Sequence, residues 1–210
     1  MKSKIILASS SPRRRELLTQ AGYEFTVVTS DVPEERCEGE TPLDYCRRLA
    51  REKAEAVLAR IANRGVERAF RPANKIAEVG AAPEVRILGA DTIVVVDDRV
   101  LGKPEDAEHA REMLELLSGR AHQVITAVCL LTSNANGTLA TDIRHAITTV
   151  TFCPMSTLDI ETYIASGEPL DKAGAYGIQG GASRFIAGYE GDYDNVVGLP
   201  VFLVREMLSG

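Results

Sequence analysis

Apolar residues along the chain change period several times, and each change marks an element. Residues 4–8 (KIILA) form a short continuous apolar run, the pattern of a buried strand. Ser11 before Pro12 then predicts a helix start, with Ser11 as N-cap and proline at the first helical position, and the helix stops near Gly22. Residues 25–29 (FTVVT) read as a second strand and 31–40 as an acidic loop. From Thr41-Pro42 a helix is predicted to about Ile61, with Cys46, Leu49, Ala50, Ala54, Val57 and Ile61 on one apolar stripe.

Residues 86–97 (RILGADTIVVVD) are the strongest strand signal, followed by a turn at Asp97-Asp98 and an exit through residues 100–104. A helix is predicted from about Asp106 to Leu117, and the runs 122–132 and 138–152 read as a hairpin around the turn 133–137. A further helix spans about Ser156–Ser166. The glycine-punctuated stretch 173–191 predicts a bent hairpin, and Pro200 opens a last amphipathic helix. Residues 62–83 lack a clear period and read as an insertion or irregular connector. Strands that alternate with helices early and pair as hairpins later predict an α/β fold with a mixed sheet.

The 210 residues suit one domain or two tightly joined lobes, and 45% hydrophobic against 26% charged residues is a globular balance. The net charge of −6 argues against a nucleic-acid polymer or an anionic membrane as main partner. Yet the chain through residue 15 carries Lys2, Lys4, Arg13, Arg14 and Arg15 and no acid, which suggests a small local anion. The cysteines (Cys37, Cys46, Cys129, Cys153) and histidines (His109, His122, His145) are too scattered for a metal finger. With neither a signal peptide nor an apolar span, a cytoplasmic enzyme is the expectation.

Four features carry chemistry. Arg13–Arg15 occupy a helix first turn, where acids are normally favoured; a bound anion resolves that conflict, though a solvated basic turn is the plain alternative. Lys53 falls within the apolar stripe of its helix, either snorkelling to the core edge or aimed into a polar cleft. Asp91, in Gly89-Ala90-Asp91-Thr92, would be costly to bury unpaired in a strand and is a candidate general base or metal ligand. Lys103 is directed by Pro104, and the acidic loop with Asp31, Glu34 and Glu35 offers hard oxygen donors for Mg²⁺ or Mn²⁺. Basic groups for negative oxygens, carboxylates for a metal and one carboxylate to deprotonate water suit metal-assisted attack on a polyphosphate.

At these residues the chain resembles the Maf family of nucleotide pyrophosphatases. The resemblance runs through ILASSSPRRRELL (6–18), LAREKA (49–54), GADTIVV (89–95), LGKP (101–104), LSGRAHQVITAV (117–128), DKAGAYGIQG (171–180) and VVGLP (196–200). It departs at 62–83, longer than the usual connector, and at Pro33, where many members carry an acid before Glu34. That departure leaves Glu35 as an alternative to Glu34.

The resemblance implies one Maf/Ham1-like domain over 1–210, with a mixed sheet, flanking helices and two lobes around a cleft, often as a homodimer. It implies divalent-metal-assisted hydrolysis of a nucleoside triphosphate to the monophosphate and pyrophosphate. Carried over by position, Ser9, Arg13 and Arg14 match phosphate binding, and Glu34, Lys53 and Lys103 match catalytic and binding positions. Asp91 matches the proton acceptor, and the carboxylates of Glu34 and Asp91 are the metal donors. Arg13, Thr92 and Gln179 resemble the dTTP/UTP branch rather than the 7-methyl-GTP branch, and a Gln amide suits the imide edge of uracil or thymine. The rival readings are a Maf-like enzyme for a modified pyrimidine nucleotide and a non-catalytic nucleotide-binding regulator of cell division.

Overall fold

The computed structural model describes residues 5–69, 85–133 and 138–209. The elements in chain order are β1 (Ile5–Ala8), α1 (Pro12–Gln20), β2 (Phe25–Val27), α2 (Pro42–Ala69), β3 (Val85–Val96), β4 (Arg99–Leu101), α3 (Ala107–Leu117), β5 (Ala121–Ser133) and β6 (Leu139–Phe152). They continue with α4 (Thr157–Ala165), three short 3₁₀ turns between Glu168 and Phe185, β7 (Ile186–Glu190), α5 (Tyr193–Val197) and α6 (Val201–Ser209). A seven-stranded sheet runs in the order β2-β1-β3-β5-β6-β7, with β4 also on β3. β1 is parallel to both neighbours and the later strands are antiparallel, so the sheet is mixed as expected.

Two expectations need correction. The second helix does not stop near Ile61 but continues to Ala69, because Ala62, Arg64, Glu67, Arg68 and Ala69 are good helix formers that outweigh Gly65; residues 70–83 of the expected connector lie outside the described residues. The stretch 173–191 is not a bent hairpin. It forms 3₁₀ turns over Ala173–Ala175 and Gly181–Phe185, and only 186–190 is a strand, paired with β6. The short helix α5 was not anticipated, since one turn and a half carries no period. The tip of the β5–β6 hairpin, residues 134–137, and Lys2 and Lys4 also lie outside the described residues.

β3 organises the core because alternate residues face opposite sides. Ile87, Ile93 and Val95 pack with α2 residues Cys46, Leu49, Ala50, Ala54 and Val57. Leu88 and Ala90 pack on the other face with Leu17 and Leu18 of α1 and Val204 and Met207 of α6. Gly89 sets the helix–sheet distance: a Cβ there would lie 2.2 Å from the Ala50 carbonyl oxygen, so α2 approaches β3 as only glycine permits.

One edge of β3 is divided. β1 pairs with it only as far as Ala8↔Gly89, and β4 begins at Val94↔Leu101. No described strand pairs with residues 90–93 on that side. The sheet therefore opens between the end of β1 and the end of β4. α1 leads from β1 to one side and α2 crosses to the other, a reversal of direction at which α/β sheets characteristically form a crevice.

The third cluster, around β5, β6 and α3, holds His122. Its ring meets Phe152 and Tyr176 edge-on, and its Nε2 shares a 2.7 Å hydrogen bond with the Tyr176 hydroxyl. Nδ1 has no partner among the described residues, so a charged ring would bury an unpaired N–H. Burial accordingly holds the imidazole down to about 4. The unfolded chain, with a histidine near 6.5, binds the extra proton first as pH falls. The stabilisation is therefore complete above pH 6.5 and is lost between 6.5 and 4, a difference of about 3 kcal/mol. His122→Gln should show a flatter dependence of urea-unfolding free energy on pH across that window than the parent chain.

Candidate active site

The divided edge of β3 opens into a cavity of about 570 Å³. Ser9, Arg13, Arg14, Glu34, Lys53, Asp91, Thr92, Lys103 and Gln179, all candidates singled out from the sequence, line it. They arrive from separate elements: Ser9 at the end of β1, the arginines on α1, Lys53 on α2, Asp91 and Thr92 on β3, and Lys103 just after β4.

The pleat of β3 sends Asp91 to the α2 face and Thr92 to the α1 face. Asp91 is 5% exposed and meets the Lys53 ammonium at 2.6 Å. The same ammonium donates at 2.7 Å to Glu34 Oε1, so one lysine joins both carboxylates. Lys53 sits in the apolar stripe because its charged end reaches this cleft rather than solvent. Of the candidate acids Asp31, Glu34 and Glu35 in the 31–40 loop, Glu34 is the one that lines the cavity; the carbonyl of Glu35 instead accepts from Arg48. The Tyr45 hydroxyl donates to the Glu34 carbonyl at 2.8 Å and fixes the loop there.

Electrostatics separates the two carboxyls. Burial pushes Asp91 upward; the charges of Lys53 and Arg14 pull it back only in part, and it stays above the ordinary carboxylate range. For Glu34 burial also raises, but the hydrogen bond and charge of Lys53, helped by Lys103 and Arg14, prevail and hold it below that range. The site thus contains one carboxyl that gives up its proton more readily than usual and one that holds it more tightly than usual, an arrangement suited to proton transfer.

On the other face Arg14 is buried, and each of its nitrogens already donates. Nε bonds the Gly198 carbonyl at 2.8 Å, one terminal nitrogen Ser9 Oγ at 3.1 Å, and the other Thr92 Oγ1 at 2.9 Å. Behind Thr92 lies Thr126 at 3.0 Å, whose hydroxyl donates to the Asn195 carbonyl at 2.9 Å. Arg13 is half-buried at the rim, 3.2 Å from Asp171. Arg15, the third member of the basic turn, is exposed and does not line the cavity. Lys103 and Gln179 are exposed into the cavity, and neither side chain hydrogen-bonds another described residue.

Sequence reasoning missed Glu168, Asp171, Lys172 and Tyr45 as cavity residues. Asp171 and Lys172 stand inside DKAGAYGIQG, so the motif was visible while its side-chain partners were not. Tyr45 and Glu168 gave no local signal, because each acts by reaching a residue distant in sequence.

The Lys53–Asp91 pair is nearly dry on both sides, with side chains 11% and 7% exposed. Removing one member strands the other. Lys53→Met should destabilise the fold by about 3 kcal/mol in urea unfolding. Adding Asp91→Asn in that background should restore much of the loss, since the neutral amide needs no cation. The double-mutant cycle would then show strong positive coupling.

A family model described as Maf-like protein matches residues 4–210. A dTTP/UTP pyrophosphatase of Salmonella typhimurium is 47% identical over 205 residues, covering 98% of this chain and 91% of that protein. One from Aliivibrio fischeri is 45% identical over 208 residues, covering 99% and 98%. Among solved structures, a HAM1 protein from Coxiella burnetii aligns at 17% identity with a TM-score of 0.40, covering 71% of this chain and 73% of that one. On a match that spans nearly the whole sequence and relatives this similar along their full length, the chain belongs to the Maf-like protein family.

Proposed function

We propose that this chain is a nucleoside triphosphate pyrophosphatase that hydrolyses dTTP and UTP to the nucleoside monophosphate and pyrophosphate, working as one domain. The relatives' names support the reaction class. The observation that carries the reading within this chain is the buried Asp91 carboxylate between Lys53 and Arg14, in a cavity that also exposes Lys103 and Arg13. A neutral ligand gives no reason to assemble these cations; a triphosphate does.

In this reading Asp91 accepts a proton from a water whose oxygen forms the new bond to the α-phosphorus. The α–β bridging P–O bond breaks and pyrophosphate departs with the electron pair. Arg13, Lys53 and Lys103 stabilise the charge that develops on the phosphate oxygens, and Arg14 holds Ser9 and Thr92 in place while adding its own field. Glu34 and Asp91 are the donors for Mg²⁺ or Mn²⁺. No group of three or more acidic, histidine or cysteine side chains suited to a metal occurs among the described residues. Two carboxylates nevertheless suit Mg²⁺, which commonly binds one or two carboxylates and takes its other oxygens from phosphates and water. A bound divalent ion would supply charge neutralisation and a more acidic water. Gln179 offers both a donor and an acceptor to the imide edge of the pyrimidine.

Pyrophosphate release from a panel of canonical and modified nucleoside triphosphates, with Mg²⁺ or Mn²⁺ present, tests the reading. The expected result is turnover highest with dTTP and UTP. Asp91→Asn should lower kcat by a factor on the order of 10²–10⁴ while retaining nucleotide binding, and Gln179→Glu should shift the dTTP-to-GTP preference. No pyrophosphate from any nucleotide would favour a regulatory nucleotide-binding module instead.

A further inference from the structure

The turn that presents Gln179 is held at both ends by two side chains from outside the turn. The Gly181 N–H donates to Glu168 Oε2 at 2.9 Å. At the other end, the Gly177 N–H donates to the Tyr163 hydroxyl at 3.3 Å, and that hydroxyl donates to Glu168 Oε1 at 3.0 Å. Tyr163 is 3% exposed, on α4, and Phe185 packs against its ring. Lys172 Nζ donates to the Glu168 carbonyl at 2.7 Å, securing the carboxylate's own backbone.

Gly180 completes the fit. A Cβ at this position would lie 1.9 Å from Glu168 Oε1, so the carboxylate rests against the bare Cα of the residue next to Gln179. A carboxylate facing a cavity built for phosphates is electrostatically unfavourable there. Its presence there calls for a different task, and the hydrogen bonds define one.

We propose that Glu168 and Tyr163 form a clamp that fixes the turn from Gly177 to Gly181, and so sets where the Gln179 amide meets the base. They are positioning residues for substrate selectivity, and the inference rests on the reading of Gln179 given above. Glu168 satisfies the Gly181 amide and the Tyr163 hydroxyl at once, and Tyr163 passes the constraint to Gly177. Without the carboxylate, the ends of a glycine-rich turn are free to move, and an amide that wanders by an ångström no longer distinguishes one base edge from another.

The test measures kcat and KM for dTTP and CTP on the intact chain with Mg²⁺, for the parent and for Glu168→Ala, Glu168→Gln, Tyr163→Phe, Gly180→Ala and Gln179→Glu. Glu168→Ala should reduce the dTTP-over-CTP ratio of kcat/KM about tenfold, the effect of losing one good hydrogen bond. The loss should appear as a raised KM for dTTP, with kcat changed by less than about threefold. Gly180→Ala leaves Glu168 in the sequence but displaces its carboxylate, and should reproduce the effect. Tyr163→Phe should give a smaller loss. Glu168→Gln should keep most of the selectivity, because its amide oxygen still accepts from Gly181.

If Glu168→Ala does not fold, Gly180→Ala and Tyr163→Phe carry the same test. An unchanged ratio in those variants, alongside a changed ratio in Gln179→Glu, overturns the clamp and leaves the base-reading role intact. An unchanged ratio in Gln179→Glu overturns both. If Glu168→Ala and Glu168→Gln equally lower KM for both nucleotides, the carboxylate acts only through its charge and the clamp is wrong. A parent chain that hydrolyses neither nucleotide removes the function on which the clamp rests.

Discussion

The interruption of strand pairing along one edge of β3 is the constraint from which the rest of the site follows. β1 stops at Ala8 and β4 starts beyond the gap, so residues 90–93 keep an edge that no described strand covers. An uncovered edge inside a seven-stranded sheet leaves both faces of the strand reachable from one opening. Asp91 and Thr92 point to opposite faces, as the pleat requires, yet line the same cavity. The helices on the two faces can then each deliver a cation to it, Lys53 from α2 and Arg14 from α1. Gly89 just before the gap lets α2 approach closely enough for the lysine to reach.

Those charges are interdependent because Asp91 and Arg14 are both buried. Asp91 is buried enough to resist ionisation, and the cations beside it are what limit that resistance. Arg14 is buried too, and desolvation weakens its hold on its own proton while Asp91 chiefly opposes that loss. The hydrogen bonds from Arg14 to Ser9, Thr92 and Gly198 tie the end of β1, the middle of β3 and the turn before α6 to one planar group. Gly198 has φ of +126°, a conformation open to glycine, and this backbone shape turns its carbonyl to the guanidinium. A lysine in place of Arg14 has a single point of attachment and could not hold all three.

Much of this was legible from sequence because the misfit residues were local. An aspartate inside an apolar strand, a lysine inside an apolar helix stripe and arginines in a helix first turn each violate a short-range preference, and all of them except Arg15 line the cavity. Three-way partnerships were not legible. That Lys53 joins Glu34 to Asp91, or that Arg14 spans β1, β3 and Gly198, depends on register between segments far apart in the chain. The same reason explains the misread 173–191 stretch. Its glycines have the spacing of hairpin turns, whereas Gly174, with φ of +67°, lies against Val94, and Gly180 makes room for Glu168. A glycine chosen for the space beside it looks, in sequence, like one chosen for a turn. Helix α2 outran its apolar stripe because helical propensity does not depend on an apolar face.

The balance of charge in the cavity adds a last step. The chain as a whole carries −6, and the cavity is not simply positive either. Arg13 has Asp171, Lys172 has Asp171 and the Glu168 carbonyl, and Lys53 has Glu34 and Asp91. Lys103 alone among the lining cations makes no hydrogen bond to another described residue, and the charge of Glu34 lies close by. A polyphosphate entering such a cavity must exchange partners with carboxylates already in place rather than fill bare positive space. Exchange keeps the cations oriented beforehand, which lowers the ordering cost of binding. It also makes the cavity a poor trap for any single anion, since only a ligand with several oxygens in the right places recovers what the carboxylates gave. The acidic exterior and the paired interior therefore act in the same direction, both selecting for a compact, multiply charged ligand over an extended polyanion.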